Sequence, residues 1–176
     1  NVHHATPVNP YINYPFFRPA EMKAYADSLH ALGMKMKIYY TVRELANRAP
    51  ELQALRSLGD EIFARGPGGG YAWLQEHLHS DYIAAWFVPA LKDAAIINSG
   101  VSRWHNFYIE GMAWLVRNAG IDGIYLDDVA FDRTTMKRLR KVLDRGRPGG
   151  LIDLHSANQF NERDGFANSA NLYLEH

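Results

Sequence analysis

Three segments of the chain have apolar residues at helical spacing, and each is followed by an extended apolar run. The first segment starts with Arg18 and Pro19 and reaches Gly33, a residue that favours the end of a helix. Its apolar positions are three or four residues apart: Met22, Tyr25, Ala26, Leu29 and Leu32. The pattern predicts a helix over residues 18–33 and then a strand over 35–42, where apolar and polar side chains alternate.

The same order of helix and strand occurs twice more. Ser102 can cap a helix that ends at Gly120, and residues 121–126 then form an apolar strand. A basic helix over 134–145 precedes a short strand over 151–154, and a weaker helix over 161–170 precedes a strand over 171–174. Helices that alternate with strands through short turns predict parallel strands and an α/β fold.

Residues 44–100 interrupt this alternation. A helix is predicted near 51–64, followed by a glycine run over 66–70 and a stretch rich in aromatic residues. Connections between a strand and the next helix usually have about two to six residues, so this segment predicts an elaborated loop over an active site. The glycine run follows no predicted strand and lacks the Lys and Ser/Thr of a phosphate-binding loop.

Composition narrows the classes of function. The 176 residues include 19 Lys and Arg, 19 Asp and Glu, and no cysteine. Zero net charge gives no general electrostatic reason to bind nucleic acid, and no apolar run approaches the roughly 20 residues of a membrane span. Disulfides and thiolate metal sites are excluded. Because the chain begins and stops beside strand-like runs, we expect it to be part of a larger protein.

The first residues of the chain also resemble the end of a strand, which makes five predicted strands, and polar residues follow the carboxyl end of each. They are His3, His4, Arg43, Glu44, Asp127, Asp128, His155, Asn158, Glu175 and His176. Ligands bind at this edge of parallel α/β sheets, so we expect these side chains to form the functional site.

The adjacent carboxylates Asp127 and Asp128 are the most specific feature. They follow the apolar residues 123–126, and two adjacent carboxylates at that position repel each other unless a reaction or a cation uses them. Neighbouring residues of a regular strand point to opposite faces, so only one of the two can point inward. If Tyr125 faces the interior, Asp127 does too.

Residues 118–128 resemble a segment of TIM-barrel glycoside hydrolases, especially those like α-galactosidases. In those enzymes a helix ends in Ala-Gly, the next strand begins with Asp-Gly, and the last residue of that strand is the aspartate nucleophile. With residues 129–133, the segment is also similar to a group of uncharacterised bacterial glycoside hydrolases. The resemblance implies a partial (β/α)8 barrel of about five parallel strands, with residues 1–176 forming part of one catalytic domain.

The same resemblance implies site roles, a carbohydrate substrate and no cofactor. Asp127 takes the position of the nucleophile, and Glu175, two strands later, takes that of the acid/base. Glycoside cleavage uses one carboxylate at the anomeric carbon and a carboxylic acid that protonates the leaving oxygen. The predicted substrate-binding residues are His3, His4, Arg43, Glu44, Trp73, Trp86, His155, Asn158 and His176. The rest of the barrel would come from the parent chain, and we expect a bacterial protein in the periplasm or outside the cell.

The sequence is compatible with three alternatives. In the first, a substrate-assisted N-acetylhexosaminidase, Asp127 steadies the 2-acetamido group and Asp128 is the acid. In the second, a metal-dependent hydrolase, a zinc ion would be held by an aspartate and by histidines: His3, His4, His155 and His176. Against it, the adjacent His3 and His4 would point to opposite faces of a regular strand. The third is a carbohydrate-binding domain without catalysis.

Overall fold

The computed structural model describes residues 1–42, 44–58, 61–70, 72–79, 81–97, 102–127 and 133–154. Its helices are α1 (Pro19–Ala31), α2 (Leu52–Arg56), α3 (Ala72–Leu78), α4 (Arg103–Asn118) and α5 (Arg133–Gly146). Its strands are β1 (Lys37–Tyr39), β2 (Glu44–Ala46), β3 (Pro67–Gly68), β4 (Tyr82–Val88), β5 (Asp93–Ile97), β6 (Gly123–Leu126) and β7 (Leu151–Leu154). A 3₁₀ turn, Pro89–Leu91, lies between β4 and β5.

A parallel sheet has the strand order β1-β6-β7. Ile38 pairs with Ile124 and Ile124 with Ile152, and Val2 forms a single parallel bridge to Ile38 on the other side. Gly123 allows β6 and β7 to approach closely, because a Cβ atom there would overlap the Leu151 carbonyl group. Parallel strands separated by helices confirm the predicted α/β class.

The buried faces of the long helices contribute to the main core of this fold. Met22 and Ala26 of α1, Trp104 and Met112 of α4, and Leu139 of α5 are fully buried, as the helical spacing predicts. Ser102 caps α4, which confirms the predicted start of that helix. Its hydroxyl accepts from the Trp104 N–H, and the His105 side chain accepts from the Ser102 N–H.

A second sheet lies between β1 and β6 along the chain, and its strand order is β2-β5-β4-β3. β5 is antiparallel to both β2 and β4, whereas β3 and β4 are parallel. The helix predicted over 51–64 is much shorter than expected, because α2 ends at Arg56 and is followed by turns. The glycine run predicted as a loop includes β3, so residues 44–100 contain regular structure of their own.

The strands of the parallel sheet are also shorter than their sequence patterns indicate. Only residues 37–39 of the predicted strand 35–42 pair as β1, because the Thr41 N–H donates instead to the Asn13 Oδ1 atom at 2.6 Å. The first predicted strand is reduced to the bridge at Val2. The helix predicted over 161–170 and the strand predicted over 171–174 lie outside the described residues.

Asp93 connects the second sheet to the segment before α1. It is fully buried, and one of its carboxylate oxygens accepts from the Ile12 N–H at 2.5 Å. Burial raises the pKa of Asp93 to about 6. Because this is above the value of about 3.9 in an unfolded chain, the protonated carboxyl stabilises the fold, and that contribution is lost as the pH rises from about 4 to 6.

We therefore expect Asp93→Asn, which stays neutral, to gain stability relative to the wild type as the pH rises. The expected gain between pH 4 and pH 7 is on the order of 2 to 3 kcal/mol in the free energy of unfolding. Urea unfolding of both proteins at pH 4, 5, 6 and 7 measures it. A stability difference that does not change with pH would contradict the prediction.

Candidate active site

A tyrosine and two carboxylates meet where β1 and β6 end and β2 begins. The Tyr39 hydroxyl lies 2.9 Å from the Glu44 Oε2 atom and 3.2 Å from the Asp127 Oδ2 atom. Tyr39 pairs in register with Tyr125, whose ring is 6.1 Å from the Tyr39 ring between centroids. Asp127 follows Tyr125 by two residues and lies beside Tyr39, so both face the same side of the sheet.

His3 and His4 lie beside the same tyrosine. Their ring centroids are 4.7 Å and 4.9 Å from that of Tyr39, and His3 is also 5.8 Å from Tyr125. The two imidazole rings are only 4.1 Å apart, so the prediction that they point to opposite faces is wrong. Regular pairing ends at Val2 and the backbone then bends, with a left-handed φ of 59° at Ala5, so strand alternation does not apply.

Burial favours the neutral form of both histidines in this site. The pKa of His3 is lowered by its partial burial, and the Asp127 carboxylate opposes that shift only in part. Burial and then the neighbouring His3 lower the pKa of His4 to about 4. Burial followed by the two nearby carboxylates raises the pKa of Tyr39 well above its usual value, so its phenol keeps its proton. The site therefore offers neutral donors beside carboxylates.

Backbone contacts fix the loop that follows β1. The Asn13 side chain, on a residue with a left-handed φ of 51°, donates to the Thr41 carbonyl at 2.8 Å and to the Glu44 carbonyl. The Thr41 hydroxyl donates to the Asp127 carbonyl at 2.8 Å, and the Trp104 indole N–H donates to the Val42 carbonyl at 2.6 Å. These bonds hold the backbone of Glu44 and Asp127 together.

Glu44 occupies a different place from the one predicted. The sequence pattern puts it at the end of the strand over 35–42, but it begins β2 of the second sheet. Its side chain nevertheless turns back to Tyr39 and is almost completely buried, with 1% of the residue exposed. Its role as a substrate-binding residue remains a prediction.

Six of the predicted site residues lie outside the described part of the chain: Arg43, Asp128, His155, Asn158, Glu175 and His176. The side chains of Trp73 and Trp86 lie outside it as well, although their backbones belong to α3 and β4. The structure brings together His3, His4, Glu44 and Asp127. The roles of all twelve residues remain predictions.

Sequence patterns do not identify every residue of this cluster. They predict Tyr39 only as a strand residue, although β1 ends at that position. Pairing of Tyr39 with Tyr125 places it beside Asp127, but this register can be known only once the pairing of β1 with β6 is known. Asn13 had no signal, because its partners are 28 and 31 positions away.

The described residues show no metal centre. No three His, Asp or Glu side chains among them are arranged to hold one ion. In the same part of the chain, none of the helices combines the length and the apolar character that crossing a bilayer requires.

Solved structures of larger proteins share this fold. An α-amylase from Geobacillus thermoleovorans, solved with acarbose, is 13% identical with a TM-score of 0.51 over 82% of this chain and 29% of that one. A cycloisomaltooligosaccharide glucanotransferase from Paenibacillus sp. is 12% identical with a TM-score of 0.52, over 78% and 20%. Ttha1563 from Thermus thermophilus is 17% identical with a TM-score of 0.53, over 81% and 31%.

The chain spans less than a third of the length of each of these proteins, and at such identities the likeness shows the fold alone. No curated protein matches the chain. A family model described as the TIM-barrel domain of glycoside hydrolase 123 matches residues 1–176. The match confirms the predicted partial barrel and the predicted resemblance to TIM-barrel glycoside hydrolases. Its extent shows that the chain belongs to the glycoside hydrolase 123 family, through the TIM-barrel domain.

Proposed function

We propose that this chain carries the catalytic aspartate of a glycosidase that acts on oligo- or polysaccharides. The observation that supports this most directly is the position of Asp127, at the carboxyl end of β6 with the Tyr39 hydroxyl 3.2 Å from its carboxylate. That edge of a barrel is where TIM-barrel enzymes place their catalytic groups. We also propose that the protein works in the periplasm or outside the cell, as its family resemblance implies.

In the proposed mechanism two carboxyl groups act in turn. Asp127 attacks the anomeric carbon and forms a glycosyl ester, while Glu175 gives its proton to the departing oxygen as the glycosidic bond breaks. Glu175 then takes a proton from water, the water oxygen bonds to the anomeric carbon, and Asp127 leaves as a carboxylate. Neutral His3 and His4 would donate hydrogen bonds to sugar hydroxyls beside Asp127.

Substrate assistance is the second candidate mechanism, and it uses Asp127 differently. The carboxylate would accept a hydrogen bond from the N–H of a 2-acetamido group, whose oxygen attacks the anomeric carbon, while Asp128 protonates the leaving oxygen. The contact with Tyr39 supports this candidate because it orients the Asp127 carboxylate. Glu175 would then bind substrate and have no part in proton transfer.

A substrate series with the full-length protein separates these mechanisms. Aryl glycosides that carry either a 2-hydroxyl or a 2-acetamido group are compared at equal leaving-group pKa. We expect hydrolysis of 2-hydroxyl glycosides if Asp127 is the nucleophile, and of 2-acetamido glycosides alone if the substrate assists. Binding of sugars without hydrolysis of either series would support a carbohydrate-binding domain. Activity that is lost with a chelator and restored by zinc would support a metal-dependent hydrolase.

A further inference from the structure

One phenol proton faces two carboxylates in this site. The Tyr39 oxygen lies within hydrogen-bond distance of both Glu44 and Asp127, and the sum of the two contacts limits the separation of their carboxylate oxygens to about 6 Å. A tyrosine hydroxyl has a single proton to donate. The two carboxylates therefore compete for this hydrogen bond, and it is weaker to each of them while the other is ionised.

We propose that Tyr39 and Glu44 act as a pair of positioning residues that set the protonation of Asp127 in opposite directions. Tyr39 stabilises the ionised form of Asp127 by donating a hydrogen bond to it. Glu44 opposes that effect because it accepts a hydrogen bond from the same hydroxyl and because its own negative charge repels that of Asp127. This inference rests on the proposed catalytic role of Asp127.

The surroundings strengthen both effects. Tyr39 is fully buried and Glu44 has an exposed fraction of 1%, so their contact lies in a medium of low dielectric constant, whereas Asp127 is partly exposed. The raised pKa of Tyr39 keeps its phenol protonated, so it remains a donor throughout the pH range in which carboxylates titrate. Pairing with Tyr125 fixes the backbone of Tyr39, and the Asn13 side chain fixes the backbone of Glu44.

Other titratable groups among the described residues also lie near Asp127. His3 interacts with its charge, but burial lowers the pKa of that histidine, so it stays neutral at pH 7. His4 is neutral as well. Burial and then the charges of Asp127 and Asp153 raise the pKa of Tyr125, so its phenol stays neutral, and Asp153 forms an ion pair with Lys37.

The test compares Tyr39→Phe and Glu44→Gln in the full-length protein. We expect the acidic limb of the pH profile of kcat/KM, which follows ionisation of Asp127, to move up by about one unit in Tyr39→Phe. We expect the same acidic limb to move down by about one unit in Glu44→Gln, because one negative charge is lost and Asp127 no longer competes with a carboxylate for the hydrogen bond from the phenol. Tyr25→Phe and Glu21→Gln, two exposed positions of α1, are matched controls that should leave the profile unchanged.

A direct titration separates this inference from the proposed function. The Asp127 side-chain carboxyl is followed by ¹³C NMR, with its signal assigned by comparison with Asp127→Asn. Opposite shifts in this titration support the inference even if turnover proves independent of Asp127, a result that would overturn only the proposed function. Unchanged titration, or shifts in the same direction, would overturn the inference even if Asp127 is essential for turnover.

A third variant keeps the test valid if either substitution prevents folding. Fluorotyrosine incorporated at position 39 keeps the hydroxyl but makes it a stronger donor. The pKa of Asp127 should then fall below its wild-type value in the same NMR titration. A pKa that does not fall would contradict the inference.

Discussion

Asp127→Asn is expected to lower kcat of the full-length protein by about 10³-fold. The amide that replaces the carboxylate can neither attack an anomeric carbon nor stabilise a positive charge that develops there. Asparagine has almost the same shape and can still accept a hydrogen bond from Tyr39, so the loop and the fold should be preserved. Steady-state kinetics on an aryl glycoside measures the loss, and sugar binding should be retained.

Asp144→Asn is the matched control for this experiment. Asp144 lies on α5, where its exposed side chain pairs with Arg140 one helical turn away. Exposed pairs of this kind contribute little to stability, so activity and unfolding should both stay near the wild-type values. If the two variants have equal activity, Asp127 is not catalytic and the proposed function is wrong.

Trp104→Ala is expected to destabilise the fold by about 4 kcal/mol. Trp104 has the largest fully buried side chain among the described residues, and it stacks on Phe107 with ring centroids 5.2 Å apart. Its indole N–H also donates to the Val42 carbonyl, so the substitution removes a hydrogen bond as well as packing. Urea unfolding followed by far-UV circular dichroism measures the change in the free energy of unfolding.

Two further variants separate packing from hydrogen bonding. Trp114→Ala alters the same helix at a tryptophan that is 37% exposed, so it should cost less than about half as much as Trp104→Ala. Trp104→Phe keeps much of the apolar volume but leaves the Val42 carbonyl without its indole donor, at a cost of about 1 to 3 kcal/mol. Equal losses at Trp104 and Trp114 would contradict the importance that we assign to burial.

The long helices of the parallel layer could be predicted because their signals are local. α4 begins directly after Ser102 and ends near Gly120, and its buried face follows the apolar spacing. The second sheet could not be predicted in the same way. β2 and β5 pair across about 50 residues, and no local pattern identifies the partner of Glu44 in β5.

Only those parts of the candidate site that depend on a single strand could be predicted from the sequence. The position of Asp127 followed from the strand that precedes it and from the resemblance of residues 118–128. The contact between the rings of His3 and His4 depends on a backbone bend that alternation does not reveal. The contact of Tyr39 with both carboxylates needs three separate segments to meet, so it requires the tertiary structure.

The position of the second sheet has a consequence for how fast the protein folds. β1 and β6 are neighbours in the parallel sheet, yet Met36 and Asp122, the hydrogen-bonded residues just before these strands, are 86 positions apart. Each doubling of a closed loop adds only about 0.6 kcal/mol in entropy, so the insertion costs little stability. Contacts between distant residues slow folding much more strongly, so we expect closure of β1 onto β6 to be a slow step. A shortened insertion should then accelerate refolding far more than it stabilises the native state.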